Sequence, residues 1–138
     1  MSTTVAKKMG IAEGSRAYIA NAPEGVIDSM DLPKLDIASE LGGDFDHIHL
    51  FVKSQQEFHD QFSKLKDHLK PDGRLWVSWP KSGKLGTDLS LTTVIKIGYD
   101  YGLVESKTIS VDATWSAIKF THPKAGKIYK NSYGKLKS

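Results

Sequence analysis

The segment from Phe45 to Pro80 constrains the fold most strongly, because it places one amphipathic helix pattern between two apolar runs. The first run, FDHIHLFV over Phe45–Val52, is nearly continuous in apolar and β-prone residues, which is typical of a parallel strand covered on both faces. The second run, Leu75–Trp79, ends at a proline. Parallel strands joined by a helix form a right-handed crossover unit. The chain is therefore predicted to be an α/β protein.

The helix between these two strands begins with a capping-box pair. Ser54 and Glu57 lie three residues apart, so that each side chain reaches the backbone N–H of the other residue. Four apolar residues follow at helical spacing: Phe58, Phe62, Leu65 and Leu69. They form one stripe that packs against a sheet. We expect the helix to include Lys70 and to stop at Pro71–Gly73, because proline and glycine disfavour a helix interior.

Further elements are predicted on the amino-terminal side of this unit. Arg16–Ala20 is a short apolar run that predicts a buried strand, and it ends in the turn Asn21–Gly25. A short helix near Val26–Met30 follows, and then Leu35–Ala38 forms a short strand or a turn. The order of strand and helix along the chain favours parallel crossovers.

A second helix and a hairpin are predicted on the carboxyl-terminal side. Asp88 is the expected N-cap, and Gly102 is a suitable residue just beyond the helix end. The apolar stripe of this helix contains Leu91, Val94, Ile95 and Tyr101. Only three residues separate the strand patterns Val104–Val111 and Trp115–Thr121, so this pair is antiparallel. The predicted fold is a small three-layer α/β domain with a mostly parallel sheet and a C-terminal antiparallel hairpin.

Charge is distributed unevenly along the 138 residues, whose formal net charge is +3 and whose pI is about 9.0. Residues 122–138 contain five lysines and no acidic residue, whereas residues 1–121 contain 14 basic and 16 acidic residues. We therefore predict one domain over residues 1–121 and a flexible basic tail over residues 122–138. Contact with nucleic acid is expected only as a weak, salt-sensitive interaction of the tail.

Other classes of protein are disfavoured by composition. The chain has no cysteine, which excludes disulfides and thiolate metal sites. No segment approaches the roughly 18–20 apolar residues of a membrane span. Met1–Met9 contains lysines but no apolar stretch behind them, so it does not match a signal peptide. We expect a cytoplasmic protein that does not interact with membranes, and the sequence does not predict its oligomeric state.

Two resemblances to known proteins follow from these motifs. FDHIHLF, LKPDG, RLWVSWP and GLVESKTISVDATWSAIKF together resemble the second half of a class I methyltransferase-type Rossmann fold, over about residues 44–121. A pattern covering about residues 10–121 resembles an uncharacterised bacterial family, a domain of unknown function. It consists of NAPEG, FDHIHLFVKS, LWVSWPKSG, TDL and DATWSAIKF. The second resemblance implies no established activity and leaves function open.

The methyltransferase resemblance implies a glycine-rich turn after the first strand and a carboxylate at the end of the second. The matching turn, Ala20–Gly25, contains one glycine, and Pro23 has no N–H to donate. Glu24 places a carboxylate where the carboxylate of S-adenosylmethionine would have to lie. The short second strand offers no clear acidic counterpart. We therefore predict no bound cofactor, and a divergent S-adenosylmethionine-dependent methyltransferase is the alternative.

The main functional prediction is a site for a small anionic ligand at the carboxyl edge of the sheet, where ligands of open α/β sheets bind. The predicted residues are Asn21, Pro23, Glu24, Gly25, Lys53, Ser54, Trp79, Pro80, Lys81, Ser82, Gly83, Thr87, Asp88 and Trp115. Lysines, hydroxyls and glycine beside a helix N-terminus favour anion binding. Alternatively, Ser54 and Asp88 are ordinary caps, and Lys81 and Lys84 are solvated loop charges.

Neither a metal site nor a catalytic site is predicted. His47 and His49 share one face of a strand and could ligate a metal, but no third ligand lies close in sequence. Glu24, Asp88 and Asp112 are candidate acids without an assigned role in catalysis. A protein-interaction module that uses the hairpin or the tail is a further alternative.

Overall fold

The computed structural model describes residues 5–124, which form a six-stranded sheet with helices on both faces. The strands are β1 (Arg16–Ala20), β2 (Asp36–Ile37), β3 (Phe45–Phe51), β4 (Leu69–Pro80), β5 (Val104–Ser110) and β6 (Trp115–Thr121). The helices are α1 (Val5–Met9), α2 (Val26–Met30), α3 (Gln55–Lys66) and α4 (Leu91–Asp100). The predicted tail lies outside the described residues except for 122–124.

The sheet confirms the predicted fold class. Its strand order is β2-β1-β3-β4-β6-β5, in which β2, β1, β3 and β4 are parallel. β6 pairs antiparallel with both β4 and β5. The predicted hairpin therefore folds back so that its second strand joins the sheet and its first strand becomes the edge.

Two apolar clusters lie on opposite faces of the sheet and make the fold three-layered. Phe58 and Phe62 of α3 and Val94 of α4 pack on one face, together with side chains of β3, β4 and β6. Met9 of α1 and Met30 of α2 pack on the other face. The second cluster also contains three aromatic residues: Phe51, Trp76 and Trp115. The prediction that Trp76 is a core residue is confirmed by its complete burial.

The predicted end of α3 is wrong by several residues. The helix ends at Lys66, and Leu69 pairs with Phe45 as the first residue of β4. The Phe45 amide donates to the His68 carbonyl oxygen at 2.7 Å, so strand pairing replaces the last helical turn. A Cβ atom at Gly73 would lie 2.9 Å from the Phe45 carbonyl oxygen. The Pro71–Gly73 segment thus continues the strand where the backbones of β3 and β4 approach closely.

Helix α4 differs from the prediction at its start. Its N-cap is Ser90, whose Oγ accepts a hydrogen bond from the Thr93 amide, so the assignment of Asp88 as the N-cap is wrong. Leu91 is 41% exposed and lies outside the buried stripe. Gly102 adopts a φ of 87° directly after the C-cap Tyr101, as the sequence predicts.

Helix α1 is an element that the sequence analysis did not predict. It has only five residues, and its buried side chains are Ala6 and Met9. None of the helices in residues 5–124 combines the length and apolar character needed to cross a membrane.

Gly98 gives a direct test of how α4 packs on β6. A Cβ atom there would lie 2.1 Å from Cε1 of the buried Phe120. We expect Gly98→Ala to lower the free energy of unfolding by about 1–3 kcal/mol, because overpacking forces backbone or side-chain shifts. Urea unfolding measures this change. Lys96→Ala, on the exposed face of the same helix, should stay within about 0.5 kcal/mol, and equal stability of the two variants would contradict the packing.

Candidate functional site

The strand order reverses between β1 and β3, and we refer to the space beyond the carboxyl ends of these two strands as the crevice. The chain passes from β1 to β2 on one side and then returns to β3 on the other side of β1. Helix α2 packs on one face of the sheet and α3 on the opposite face. The loops that follow β1 and β3 therefore diverge, which is where open α/β sheets bind ligands.

The turn between β1 and α2 forms one side of this crevice. Asn21 and Gly25 adopt left-handed conformations with φ values of 61° and 80°. The amides of Ala22, Glu24 and Gly25 donate no hydrogen bond to any residue of the described part of the chain. Asn21, Glu24 and Gly25 are exposed. The turn thus presents unused backbone donors at the crevice, although Pro23 supplies none.

Most backbone donors at the N-terminus of α3, on the other side of the crevice, have acceptors within the protein. The predicted capping box is present, since Ser54 Oγ accepts from the Glu57 amide at 3.1 Å. Glu57 Oε1 in turn accepts from the Lys53 amide at 3.0 Å. The Gln55 amide donates to Asp88 Oδ1 at 2.8 Å. These helix donors are therefore committed, and Asp88 fastens the loop after β4 to the start of α3.

The segment Lys81–Gly86, which follows β4, forms two short 3₁₀ turns held against the β5–β6 hairpin. Lys81 Nζ donates to Ser110 Oγ at 2.5 Å, and Lys84 Nζ donates to the Ala113 carbonyl oxygen at 2.8 Å. Both amines thus have partners within the protein. Their role in the structure includes fastening this segment.

A cavity of about 370 Å³ lies at the end of β4. Its lining consists of Trp79, Lys81, Ser82, Gly83, Leu89, Ser90, Leu91 and Ser116. The structure therefore brings four predicted residues together around one volume. Three serines and one lysine line it beside Trp79; the Ser90 hydroxyl also caps α4, and the Lys81 ammonium group donates to Ser110.

Trp79 and Trp115 do not form a common pocket wall, because they belong to apolar clusters on opposite faces of the sheet. The Trp115 ring meets the Phe51 ring edge-on at 5.5 Å. Its amide donates to Asp112 Oδ1 at 2.7 Å. Trp115 therefore anchors the hairpin, in agreement with the alternative that it is a packing residue.

The fourteen predicted residues thus fall into separate groups along one edge. The β1–α2 turn contains Asn21, Pro23, Glu24 and Gly25, and the α3 cap contains Lys53, Ser54 and Asp88. The cavity contains Trp79, Lys81, Ser82 and Gly83. Pro80 ends β4, and Thr87 Oγ1 accepts from the Leu89 amide at 3.1 Å. Their role in ligand binding stays a prediction.

The sequence analysis missed two hydroxyl groups of the cavity, those of Ser90 and Ser116. Ser90 lies at the N-cap of α4, and Ser116 lies near the start of β6. Serine directly before an apolar helical pattern is a preferred N-cap, so Ser90 had a detectable sequence pattern. Ser116 had none, because only the pairing of β6 with β4 places it opposite Trp79.

The two buried histidines of β3 have no third ligand beside them within residues 5–124. Their ring centroids are 6.2 Å apart, and His49 Nε2 lies 2.6 Å from Ser78 Oγ. Residues 5–124 contain no cluster of three or more His, Cys, Asp or Glu that could hold a metal ion. Burial, with a contribution from Arg74, lowers the pKa of His47 to about 4. Burial also lowers the pKa of His49 well below its ordinary value, so both rings are neutral at pH 7.

Comparisons with known proteins give fold relatives but no sequence family. No protein-family model matches the chain, and no curated protein sequence matches it. The resemblance to an uncharacterised bacterial family therefore stays a prediction.

Several solved methyltransferase structures share the fold. One is magnesium protoporphyrin IX methyltransferase (ChlM) from Synechocystis PCC 6803 with bound SAH, at a TM-score of 0.58 and 15% identity over 85% of this chain and 78% of that chain. A TehB-like SAM-dependent methyltransferase from Corynebacterium glutamicum has a TM-score of 0.58 and 11% identity over 85% of both chains. A ribosomal protein L11 methylase from Lactobacillus delbrueckii subsp. bulgaricus has a TM-score of 0.55 and 8% identity over 85% and 74%. At these identities the likeness shows a methyltransferase-like Rossmann fold.

The buried histidines predict how stability depends on pH. Their folded-state pKa values lie below the ordinary 6.5, so the unfolded chain binds more protons as the pH falls through this range. Stability is therefore full above pH 6.5 and is lost toward pH 4; the pKa of about 4 for His47 corresponds to a loss of about 2 kcal/mol between pH 7 and pH 5, and His49 acts in the same direction. Urea unfolding across this range measures the slope. His47→Gln should lose about half of the slope, and an unchanged slope would contradict the assignment.

Proposed function

We propose that this protein is a divergent methyltransferase that binds an S-adenosylmethionine-type ligand in the crevice between the carboxyl ends of β1 and β3. The observation that carries the proposal is the β1–α2 turn. It presents unused amides at Ala22, Glu24 and Gly25, at the point where the strand order reverses. Backbone N–H groups in such a turn form a concave site for anions, including a ligand carboxylate.

The fold of the structural relatives supports the same assignment. Two of them are described as holding SAH or as depending on SAM, and each aligns with 85% of this chain. The two supporting observations are independent. The likeness of fold comes from other structures, whereas the unbonded turn amides are a feature of this chain. Together they favour the methyltransferase alternative over the prediction that no cofactor binds.

The side chains of the crevice are less suited to S-adenosylmethionine than the backbone amides of the β1–α2 turn are. The exposed Glu24 carboxylate lies in the turn itself, where it repels a ligand carboxylate. The acidic residue of β2, Asp36, lies opposite Arg16 at the start of β1 and forms an ion pair with it at 3.9 Å, and Glu40 follows Ile37 by three positions. Binding would therefore depend mainly on the turn amides, with Glu24 weakening it.

S-adenosylmethionine bound in this crevice would supply an electrophilic methyl group. The cavity at Trp79 is the natural place for an acceptor, since it lies at the same edge of the sheet. β3 separates β1 from β4, so the two sites are roughly 10 Å apart across the strands. The indole of Trp79 would form an apolar wall, and the hydroxyls of Ser82 and Ser116 would orient the acceptor.

Calorimetric titration with S-adenosylhomocysteine tests the proposal. We expect wild-type binding and a severalfold tighter complex with Glu24→Gln, because removal of the carboxylate relieves repulsion of the ligand carboxylate. Gly25→Val should weaken binding at least about tenfold, since a β-branched residue resists the positive φ of the turn. Its circular dichroism spectrum shows whether the fold is retained.

Glu13→Gln is the matched control for this titration. Glu13 is also exposed, but it precedes β1 and therefore lies at the amino edge of the sheet. Its substitution should leave the affinity unchanged. A titration without heat for both the wild type and Glu24→Gln would rule out the proposal, as would equal tightening by the two substitutions.

A second candidate function is the binding of a small anionic ligand in the cavity at the end of β4. The observation that favours it is the meeting of Lys81 with the hydroxyls of Ser82, Ser90 and Ser116 around one volume. A bound anion would compete with Ser110 for the Lys81 ammonium group.

A thermal-shift panel of nucleotides, phosphosugars and acyl phosphates tests this second candidate. We expect one class to raise the melting temperature by a few degrees, as ligands that bind only the folded state do. The shift should be lost in Lys81→Ala and kept in Lys84→Ala, because Lys84 does not line the cavity. An equal response of both variants would exclude a site at Lys81.

A further inference from the structure

Three cations converge on the face of the sheet that α1 and α2 cover, near its amino edge. Lys119 of β6 lies directly opposite Trp76 of β4 and directly opposite Lys107 of β5. Partners in register share a face of the sheet, and residues two apart on one strand also share it. Arg74, two residues before Trp76, therefore lies on the same face as both lysines.

A β-bulge places Lys107 in this position. The register of β5 shifts between Glu105, which pairs with Phe120, and Lys107, which pairs with Lys119. In a regular ladder Ser106 would lie opposite Lys119. Bulges commonly re-aim a side chain at a functional site. Here the irregularity replaces a neutral neighbour of Lys119 by a second ammonium group.

Within residues 5–124, no carboxylate forms an ion pair with Arg74, Lys107 or Lys119. Like charges directly opposite on neighbouring strands destabilise a sheet. Arg74 Nη1 donates to the Gly10 carbonyl oxygen at 2.7 Å, and Lys107 Nζ donates to the Lys8 carbonyl oxygen at 2.5 Å. The Lys119 ammonium group has neither a hydrogen bond nor an ion pair with a residue of the described range 5–124. Burial, Arg74 and Lys107 all lower the pKa of Lys119.

Open space adjoins two of these three cations, Arg74 and Lys119, whereas Lys107 lies beside it without lining it. A cavity of about 890 Å³ is lined by Arg74 and Lys119, together with Thr121 and His122. Two carboxylates, those of Asp72 and Glu105, also belong to the lining. Asp72 forms no ion pair with Arg74, Lys107 or Lys119 within residues 5–124, and the Tyr99 hydroxyl lies 3.5 Å from Glu105 Oε1.

We propose that Arg74, Lys107 and Lys119 form a binding site for a phosphoryl group, at the edge of the sheet opposite the crevice. A guanidinium fork and two ammonium groups supply the charge-assisted donors that a phosphate oxygen prefers. A bound dianion removes the repulsion between Lys107 and Lys119, so its binding stabilises the fold. The site takes either a free phosphate compound or the phosphate of a nucleic-acid backbone.

Thermal unfolding at low ionic strength tests the site, with inorganic phosphate and pyrophosphate as probes. We expect both anions to raise the melting temperature of the wild type more than sodium chloride does at equal ionic strength. Lys119→Gln should lose this response and, without phosphate, be at least as stable as the wild type. Lys119→Arg keeps the charge and should keep the response.

Two further variants make the result specific. Lys96→Gln removes a lysine that pairs with Asp100 on the exposed face of α4, and it should respond like the wild type. Lys81→Ala should also keep the phosphate response, which separates this site from the cavity at the end of β4. A response lost in Lys81→Ala but kept in Lys119→Gln would overturn the proposal.

A short single-stranded oligonucleotide distinguishes the two sources of the phosphoryl group. A Lys119-dependent shift with pyrophosphate that exceeds the shift with the oligonucleotide assigns the site to a small phosphate compound. The reverse order, again dependent on Lys119, assigns it to a nucleic-acid backbone. Equal effects of phosphate and chloride in the wild type, together with no Lys119-dependent oligonucleotide shift, would show that no such site exists.

Discussion

The burial of β3 on both faces is the constraint on which the rest of this structure depends. β3 pairs in parallel with β1 and β4, and its side chains alternate between the two apolar clusters. Ile48 and Leu50 point to the α3–α4 side, whereas Phe51 packs with the α1–α2 cluster. The strand therefore needs helices on both sides, and its two histidines must remain neutral because burial disfavours their charged form.

The same arrangement decides where a ligand could bind. Because α2 and α3 pack on opposite faces of the sheet, neither of these helices covers the carboxyl ends of both β1 and β3. On the β3 side, the donors at the start of α3 are bonded to Ser54 and Asp88. On the β1 side, the amides of Ala22, Glu24 and Gly25 donate to no acceptor within residues 5–124. The methyltransferase-like fold and the unbonded amides both indicate the β1–α2 turn as the candidate binding site, although this turn contains a single glycine.

The lysines at the two edges of the sheet differ in whether their ammonium groups have partners, and a count of charged residues does not show this difference. At the carboxyl edge, the amines of Lys81 and Lys84 are bonded to the hairpin. At the amino edge, Lys119 remains without a partner in residues 5–124 beside two other cations. Residues 1–121 contain more acidic than basic residues, so the cluster arises from strand pairing and not from an excess of positive charge.

Local sequence patterns were sufficient to predict several elements, whereas features that depend on distant partners follow only from the folded arrangement. The run Phe45–Val52, the Ser54–Glu57 capping box and the short link in the C-terminal hairpin are all readable within a few residues. The end of α3 is not, because it is set by the pairing of Phe45 with residues near position 69. Asp88 likewise bonds to a residue 33 positions away instead of capping its own helix. The opposition of Lys107 and Lys119 requires a bulge, and backbone register is decided only when the strands meet.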